Sequence, residues 1–119
     1  SGTTNMIKVH VAGHILMRGK GLNDKVDSGN MCVVNSAEEL KEKFKVGDII
    51  VAKDTCNEMM EQIRLSSGLI LEKNSINCHG AIAGLSLDIP VLIGAENATQ
   101  ILKTGAIVTV KAKDGVVVS

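Results

Sequence analysis

The sequence predicts an α/β fold with a central, mostly parallel sheet and a smaller second sheet, and three features of the 119-residue chain support this. Short apolar runs alternate with segments that have helical patterning. The runs at 48–52 and 90–94 are apolar on both faces, which is typical of parallel strands covered on both sides. The last two runs, 107–110 and 116–118, flank Asp114-Gly115, a typical turn sequence of an antiparallel hairpin.

Two strands separated by a loop are predicted before residue 35. Residues 7–11 alternate apolar and polar side chains, which predicts a strand. The stretch 13–29 is rich in glycine and polar residues, so we interpret it as a loop. The apolar run at 31–34 then predicts a short strand.

Two capping-box patterns predict the starts of helices. Ser36 is followed three residues later by Glu39, which predicts a helix that continues to about residue 44. Thr55 and Glu58 repeat this pattern. A helical apolar face follows the second box at Met59, Met60, Ile63 and Leu65. The remaining predicted elements are a strand at 68–71 and helices at 80–87 and 97–102.

Charge and composition exclude two classes of partner. Thirteen basic and thirteen acidic side chains cancel, so no net field draws the chain to nucleic acid or to an anionic membrane. Phe44 is the only aromatic residue, which leaves almost nothing on which bases could stack. No apolar run approaches membrane-spanning length, and the first residues do not resemble a signal peptide. We therefore expect a cytoplasmic protein.

The cysteines and histidines do not predict a metal centre. Cys32, Cys56 and Cys78 are odd in number and widely spaced, so neither a disulfide framework nor a zinc site follows. We expect free thiols that are buried or half-buried. His10 and His14 are four residues apart, but in an extended segment their imidazoles would stand about 13 Å apart, too far to share a metal ion.

The segment 74–82 carries the strongest chemical signal. His79 follows a polar loop and directly precedes a predicted helix. The free backbone N–H groups of Gly80, Ala81 and Ile82 would point towards any group on the imidazole. A helix N-terminus attracts anions and favours the neutral imidazole, which is the nucleophilic form that phosphorylation on nitrogen requires. From these residues alone, a structural histidine at the end of a loop remains the open alternative.

A set of short motifs follows in order over residues 47–118. They are Gly47-Asp48-Ile49-Ile50-Val51-Ala52-Lys53, His79 with Ala81-Ile82, Ile89-Pro90-Val91, Gly94, Asn97-Ala98-Thr99, Leu102, Gly105, Val108-Thr109-Val110 and Gly115. In this order they resemble the mobile, phosphohistidine-carrying domain of phosphoenolpyruvate-utilising enzymes. The resemblance implies the swivelling β/β/α fold of that family, with a phosphate-binding segment formed by Cys78, His79, Gly80, Ala81 and Ile82.

The beginning of the chain carries a second resemblance. The run Gly2-Thr3-Thr4-Asn5-Met6-Ile7-Lys8-Val9 is similar to the end of the regulatory domain of pyruvate kinases, where an effector-site loop enters the last strand. Gly84-Leu85-Ser86-Leu87 resembles the variant in the extra C-terminal domain of pyruvate kinases from bacilli and their relatives. The resemblance implies that residues 1–13 end the regulatory domain, and that residues 14–119 form the extra domain. The effector loop would contain Gly2, Thr3, Thr4 and Asn5.

This resemblance also implies the parent enzyme and its partners. The parent would be a homotetramer that transfers a phosphoryl group from phosphoenolpyruvate to ADP in glycolysis, with Mg²⁺ and K⁺ as cofactors. Its catalytic barrel would precede Ser1, so the expected partner is the remainder of that chain and tetramer. No cofactor and no activity are expected in the segment itself.

Departures from the phosphohistidine pattern indicate a domain without phosphotransfer. Asn74-Ser75 stands where the family has two glycines, and Asn77-Cys78-His79-Gly80 stands where it has Thr-Ser-His-Ala. Leu85 replaces the arginine of the phosphotransfer enzymes, so several phosphate-binding groups are lost. We expect a structural or regulatory domain in which His79 is a vestigial phospho-acceptor that binds phosphate or phosphoenolpyruvate weakly. The alternative is a phosphotransfer module that carries a phosphoryl group on His79.

Overall fold

The computed structural model describes residues 13–119. Several predictions concern residues 1–12 and lie outside this described part of the chain. They are the strand at 7–11, the position of His10, and the effector loop of Gly2, Thr3, Thr4 and Asn5. The domain boundary between 1–13 and 14–119 also stays a prediction.

Strands and helices alternate through the described residues. The strands are β1 (Ile15–Arg18), β2 (Lys20–Gly21), β3 (Val26–Val33), β4 (Ile49–Ala52), β5 (Gly68–Leu71), β6 (Val91–Ile93), β7 (Ile107–Lys111) and β8 (Val116–Val118). The helices are α1 (Ala37–Lys43), α2 (Met60–Arg64), α3 (His79–Ser86) and α4 (Ala98–Ile101), and a 3₁₀ turn (Asn57–Met59) leads into α2.

Strand β3 belongs to both a parallel and an antiparallel sheet. Its second half pairs in parallel with β4, and β5 and β6 continue the parallel order, with β2 antiparallel at the edge beyond β6. Its first half pairs antiparallel with β7, which is followed by β8 and β1. The strand order is β1-β8-β7-β3-β4-β5-β6-β2. The long β3 therefore joins the two sheets.

Two buried apolar clusters separate three layers. In the first cluster, Leu40 of α1 and Ile63 of α2 pack against the face of β4 that carries Ile50. In the second, the opposite face of β4 packs against Val110 and Val117 of the antiparallel strands. Covering both faces of β4 removes apolar surface from water, which stabilises the fold by about 25 cal/mol per Å². The predicted central, mostly parallel sheet with a smaller second sheet is confirmed, as is the β/β/α layering.

The prediction of a loop at 13–29 is wrong, because this stretch contains β1, β2 and the first half of β3. Two of its glycines mark places where backbones come very close together. A Cβ atom on Gly21 would overlap the Ala112 carbonyl oxygen, and one on Gly29 would overlap the Gly47 carbonyl oxygen. These glycines therefore permit strand packing rather than turns.

The first capping box is confirmed. The Ser36 hydroxyl oxygen accepts a hydrogen bond of 3.0 Å from the backbone N–H of Glu39. The Glu39 carboxylate accepts from the backbone N–H of Asn35 at 2.6 Å, one residue before the cap. Both bonds satisfy donors that the start of α1 would otherwise leave unpaired.

The second capping box is wrong. The 3₁₀ turn begins after Cys56, which makes no side-chain cap, and the Thr55 hydroxyl bonds elsewhere. The apolar face that follows is confirmed in part, because Met59 and Ile63 are buried whereas Leu65 is exposed.

The strand predicted at 31–34 is the second half of the longer β3, and the other remaining elements are confirmed within one or two residues. They are the strands β5 and β6, the helices α3 and α4, and the hairpin of β7 and β8. Among the described residues, no helix is both long enough and apolar enough to cross a membrane.

Candidate functional site

Two adjacent parallel strands end at one edge of the sheet and bring the candidate residues together. Asp54 and Thr55 follow the end of β4, and the loop after β5 leads to His79, the first residue of α3. This carboxyl edge of parallel strands is where α/β folds usually place their ligand sites. The predicted position of His79 at the start of a helix is therefore confirmed, and the edge defines the candidate site.

Both ring nitrogens of His79 have partners within the domain. The Thr55 hydroxyl oxygen lies 2.7 Å from Nδ1, and the Asn57 carbonyl oxygen Oδ1 lies 2.9 Å from Nε2. With the Asn57 amide in this orientation its oxygen can only accept, so Nε2 donates in this contact, and the Thr55 hydroxyl is placed to bond Nδ1 as either donor or acceptor. Phosphorylation at Nε2 would require this nitrogen to lose its proton and its bond to Asn57.

The first turn of α3 already has acceptors for its backbone N–H groups. The Gly80 N–H donates to the Asp54 carboxylate at 2.9 Å, and the Ile82 N–H donates to the Cys78 carbonyl oxygen at 3.1 Å. The expectation of free N–H groups is therefore wrong at Gly80 and at Ile82. Phosphate binding by the segment stays a prediction for Cys78, His79, Gly80, Ala81 and Ile82.

Asp54 provides a fixed negative charge at the start of α3. Partial burial acts to raise the pKa of its carboxyl, but hydrogen bonds from the N–H groups of Gly80 and Thr55 lower it. Hydrogen bonds from the Cys78 thiol and from the backbone N–H of His79 lower the pKa further. Together these bonds outweigh the effect of burial, so the pKa of the Asp54 carboxyl is lowered. The carboxylate also offsets the positive end of the helix dipole. The Asp54 carboxylate thus occupies the position at the start of α3 where a bound phosphate would place its negative charge.

His79 is half-buried in the wall of an open groove between α2 and α3. The groove has a volume of about 430 Å³. Its lining residues are Asn57, Met60, Arg64, His79, Ile82, Ala83 and Ser86. Arg64 is the one permanent cation among them, and no carboxylate belongs to the lining. The site therefore combines an imidazole, a guanidinium, an amide and a hydroxyl group with an apolar wall.

Sequence reasoning missed Asp54, Asn57 and Arg64. Asn57 lies three residues before Met60, and Arg64 lies four residues after it. This spacing places the three residues on one helical face. That spacing was a usable signal, although nothing in the sequence shows that this face lies opposite His79. Asp54 directly follows a buried strand, but the sequence does not show that this strand neighbours the strand before His79.

Residues 13–119 contain no group of three histidine, cysteine, aspartate or glutamate side chains that could hold a metal ion. The three cysteines are free thiols, as predicted, with Cys32 and Cys78 buried and Cys56 half-buried. Burial, reinforced by the charge of Asp48, raises the pKa of Cys32 to about 11. Burial also raises the pKa of Cys78. The buried thiols are therefore poorly suited to nucleophilic chemistry.

The family of the domain follows from comparison with known proteins. Residues 44–115 match the family model of the PEP-utilising enzyme, mobile domain. The chain belongs to this family. The matched range contains β4, β5, α3 and every residue that lines the His79 groove.

Pyruvate kinases are among the relatives of this chain. A pyruvate kinase of Bacillus licheniformis is 40% identical over 117 residues, which cover 98% of this chain and 20% of that protein. A pyruvate kinase of Sporosarcina psychrophila is also 40% identical over 98% of this chain and 20% of its own length. The chain therefore spans about one fifth of the length of these relatives, and it matches their C-terminal region.

A solved structure shares the fold. The solution structure of an Enzyme I protein superimposes with a TM-score of 0.53 at 25% identity. The superposition covers 63% of this chain and 31% of that chain. The resemblance to phosphoenolpyruvate-utilising mobile domains and to pyruvate kinases is thus confirmed.

Proposed function

We propose that this chain is a non-catalytic C-terminal domain of a pyruvate kinase. The observation that carries the proposal is the 40% identity of nearly the whole chain to the C-terminal region of pyruvate kinases. The bonds at His79 support it, because a phosphoryl carrier needs a ring nitrogen with a free lone pair. Here Thr55 and Asn57 hold both nitrogens.

The parent enzyme in this proposal transfers a phosphoryl group from phosphoenolpyruvate to ADP and yields pyruvate and ATP. We infer that it is a cytoplasmic homotetramer that uses Mg²⁺ and K⁺. Mg²⁺ in such enzymes is bound by carboxylates together with substrate phosphates. Residues 13–119 do not fit this role, because they offer no carboxylate cluster. We propose that both ions bind in the part of the longer protein that this chain does not cover.

An activity assay tests the non-catalytic role. The purified chain, at high concentration, is expected to form no ATP from phosphoenolpyruvate and ADP in the presence of Mg²⁺ and K⁺. The full-length parent enzyme is the positive control. Turnover by the chain above a heat-denatured blank would overturn the proposal.

The domain would then contribute to stability or regulation of the parent. Deleting it from the full-length enzyme should change kcat by less than about twofold, since no catalytic group is removed. It should lower Tm or alter the response to effectors, because the surfaces against which the domain packs become exposed. Loss of all turnover in a folded deletion variant would assign catalytic groups to the domain.

A phosphotransfer module is the second candidate, and the position of His79 in an open groove favours it. Transfer would place a phosphoryl group on His79 after Nε2 loses its proton. Incubation with phosphoenolpyruvate and the parent protein, followed by intact-mass measurement at alkaline pH, distinguishes the candidates. A gain of one phosphoryl group that His79→Ala abolishes would establish the module. An unchanged mass would favour the non-catalytic domain.

A further inference from the structure

The antiparallel sheet has one face that no other layer of the described residues covers. The helices α1 to α3 pack against one side of the parallel sheet, and the second apolar cluster fills the space between the parallel and the antiparallel sheets. The other side of the antiparallel sheet therefore lies on the surface of residues 13–119. We call it the outer face, and the strand pairings assign to it, among others, Ile15, Val26, Ser28, Ile107, Thr109 and Val118.

The outer face is more apolar than a solvated sheet face usually is. An antiparallel sheet that borders water normally alternates buried apolar residues with exposed polar ones. On the outer face, however, Ile107 is 70% exposed, Val26 58% and Ile15 48%. Val118 is half-buried and pairs with both Ile15 and Thr109. Neighbouring exposed aliphatic side chains of this kind mark surfaces that bind a partner.

The centre of the outer face can lose its water at little cost. One row of paired residues crosses all four strands and consists of Ser28, Thr109, Val118 and Ile15. The two hydroxyl oxygens in this row lie 2.7 Å apart, so one hydroxyl donates to the other. A polar group that already has a hydrogen bond costs less to bury than one that gives up water without a partner. The charged side chains of the face, Arg18 and Lys111, lie outside this row at one end, as in the polar rim of an interface.

The course of the chain indicates what covers the outer face. A Cβ atom on Gly13 would overlap the Ser119 carbonyl oxygen, so the two backbones lie in close contact. The His14 N–H donates to the Ser119 hydroxyl oxygen at 3.1 Å, and the Ser119 N–H donates to the His14 carbonyl oxygen at 3.0 Å. These contacts hold residue 13 beside the end of β8, two residues before Ile15. Any polypeptide that precedes residue 13 therefore starts next to the outer face.

The polypeptide that would precede residue 13 in a pyruvate kinase is long. The region that this chain matches is C-terminal in the relatives and makes up 20% of their length. A short linker holds the preceding part of the same polypeptide near the outer face at an effective concentration of about millimolar. A modest contact between aliphatic surfaces then suffices for docking, because the entropy of bringing two separate molecules together is not lost.

We propose that the outer face docks against an aliphatic surface of the part of the parent chain that precedes residue 13. The inference rests on the proposed function, because it takes this chain as the C-terminal domain of a longer enzyme. It assigns the packing surface of the domain to the antiparallel sheet and not to the helical layer that carries His79. The row from Ser28 to Ile15 forms the centre of this contact.

Labelling of introduced cysteines tests the inference in the 119-residue chain and in the full-length parent, both with Cys56→Ser to remove the half-buried native thiol. Ser28→Cys reports on the outer face, and Glu38→Cys, at an exposed position of α1, is the matched control. A maleimide pulse followed by peptide mass spectrometry gives the rate at each position. Both should react readily in the 119-residue chain. In the parent, Ser28→Cys should react about tenfold more slowly or less, since a covered thiol reacts only when the contact opens, and Glu38→Cys should change by less than about twofold.

A second substitution shows whether the apolar contact causes the protection. Ile107→Glu places a charge on the outer face and should restore most of the Ser28→Cys labelling in the parent, because burying an unpaired charge opposes docking. Ile76→Glu makes the same change at an exposed isoleucine in the loop before α3 and should leave the protection intact. If Ser28→Cys does not fold, Asn30→Cys on the same face takes its place.

Each other outcome has a defined meaning. Equal labelling of Ser28→Cys in the parent and in the chain, equal protection of Ser28→Cys and Glu38→Cys, or equal effects of Ile107→Glu and Ile76→Glu would overturn the inference. A dimer of the 119-residue chain in size-exclusion chromatography that Ile107→Glu dissociates would assign the outer face to a second copy and would also overturn it. A full-length protein that forms no ATP from phosphoenolpyruvate and ADP would instead overturn the proposed function, whatever the labelling shows.

Discussion

The Asp54 carboxylate and the Gly80 backbone N–H lie 26 residues apart in sequence, yet a hydrogen bond of 2.9 Å joins them. The bond ties the end of β4 to the first turn of α3. It therefore fixes the helix that carries His79 relative to the strand end that carries Thr55. The ring contacts of His79 depend on this alignment.

Replacing Asp54 with alanine should lower the free energy of unfolding by about 1–2 kcal/mol, because the first turn of α3 loses its carboxylate acceptor. Asp54→Asn retains an acceptor oxygen and should cost less. Urea denaturation followed by far-ultraviolet circular dichroism measures both, since the chain has no Trp or Tyr to give a strong fluorescence signal. Wild-type stability in Asp54→Ala would show that the bond contributes nothing.

Stability should also fall at acidic pH because of Asp54. Its pKa is lowered in the folded domain relative to the ordinary value of 3.8, so the unfolded chain binds the proton more tightly. The contribution of Asp54 is therefore fully present above the ordinary pKa and is lost as pH falls through the lowered one. Unfolding free energies measured between about pH 6 and pH 2 should decline less steeply for Asp54→Asn. Identical slopes for the variant and the wild type would assign the acid sensitivity to other groups.

Local sequence signals predicted those parts of the fold that local interactions determine. The Ser36 box succeeded because its two partners lie within four residues and nothing competes for the hydroxyl group. The Thr55 box has the same residue types, but the Thr55 hydroxyl bonds His79, 24 residues away. Glycine misled the prediction at Gly21 and Gly29, because close backbone packing and flexible loops favour the same residue.

The candidate site likewise has a part that local sequence patterns predict and a part that depends on tertiary contacts. His79 could be predicted, because a polar loop before a helix is a local pattern. Asp54 and Arg64 could not be assigned to the site, because they reach it through the pairing of β4 with β5 and the packing of α2 beside α3. Such contacts depend on the tertiary structure, which a single sequence specifies only through the whole fold.

Thiol reactivity should separate the three cysteines. At about pH 8, a maleimide should modify Cys56 in the native domain and leave Cys32 and Cys78 unmodified, because both are buried and their pKa values are raised. Cys56 should itself react slowly, since partial burial and then Glu58 raise its pKa. Intact mass should show one adduct in the native protein and three in urea. Cys56→Ser should abolish the native adduct, and rapid labelling of Cys32 would contradict the burial of β3.

The last prediction concerns the close packing of α3 on the sheet. A Cβ atom on Gly84 would overlap the Val91 Cγ2 atom and lie 3.1 Å from the Leu69 Cδ1 atom. Both neighbours are fully buried, so little space exists for relaxation. Gly84→Ala should therefore destabilise the domain by about 1 kcal/mol or more, because overpacking exceeds the gain in helix propensity.

A double-mutant cycle shows whether the Val91 methyl group causes this loss. Val91→Ala alone should also destabilise, because it leaves a cavity beneath α3. Combined with Gly84→Ala, it removes the atom that the new methyl group would meet, so the double variant should be more stable than the sum of the single effects predicts. Urea denaturation of the four proteins measures the coupling. Strict additivity, or a Gly84→Ala variant more stable than the wild type, would mean that α3 can move away from the sheet, and that the position of His79 is not fixed by this contact.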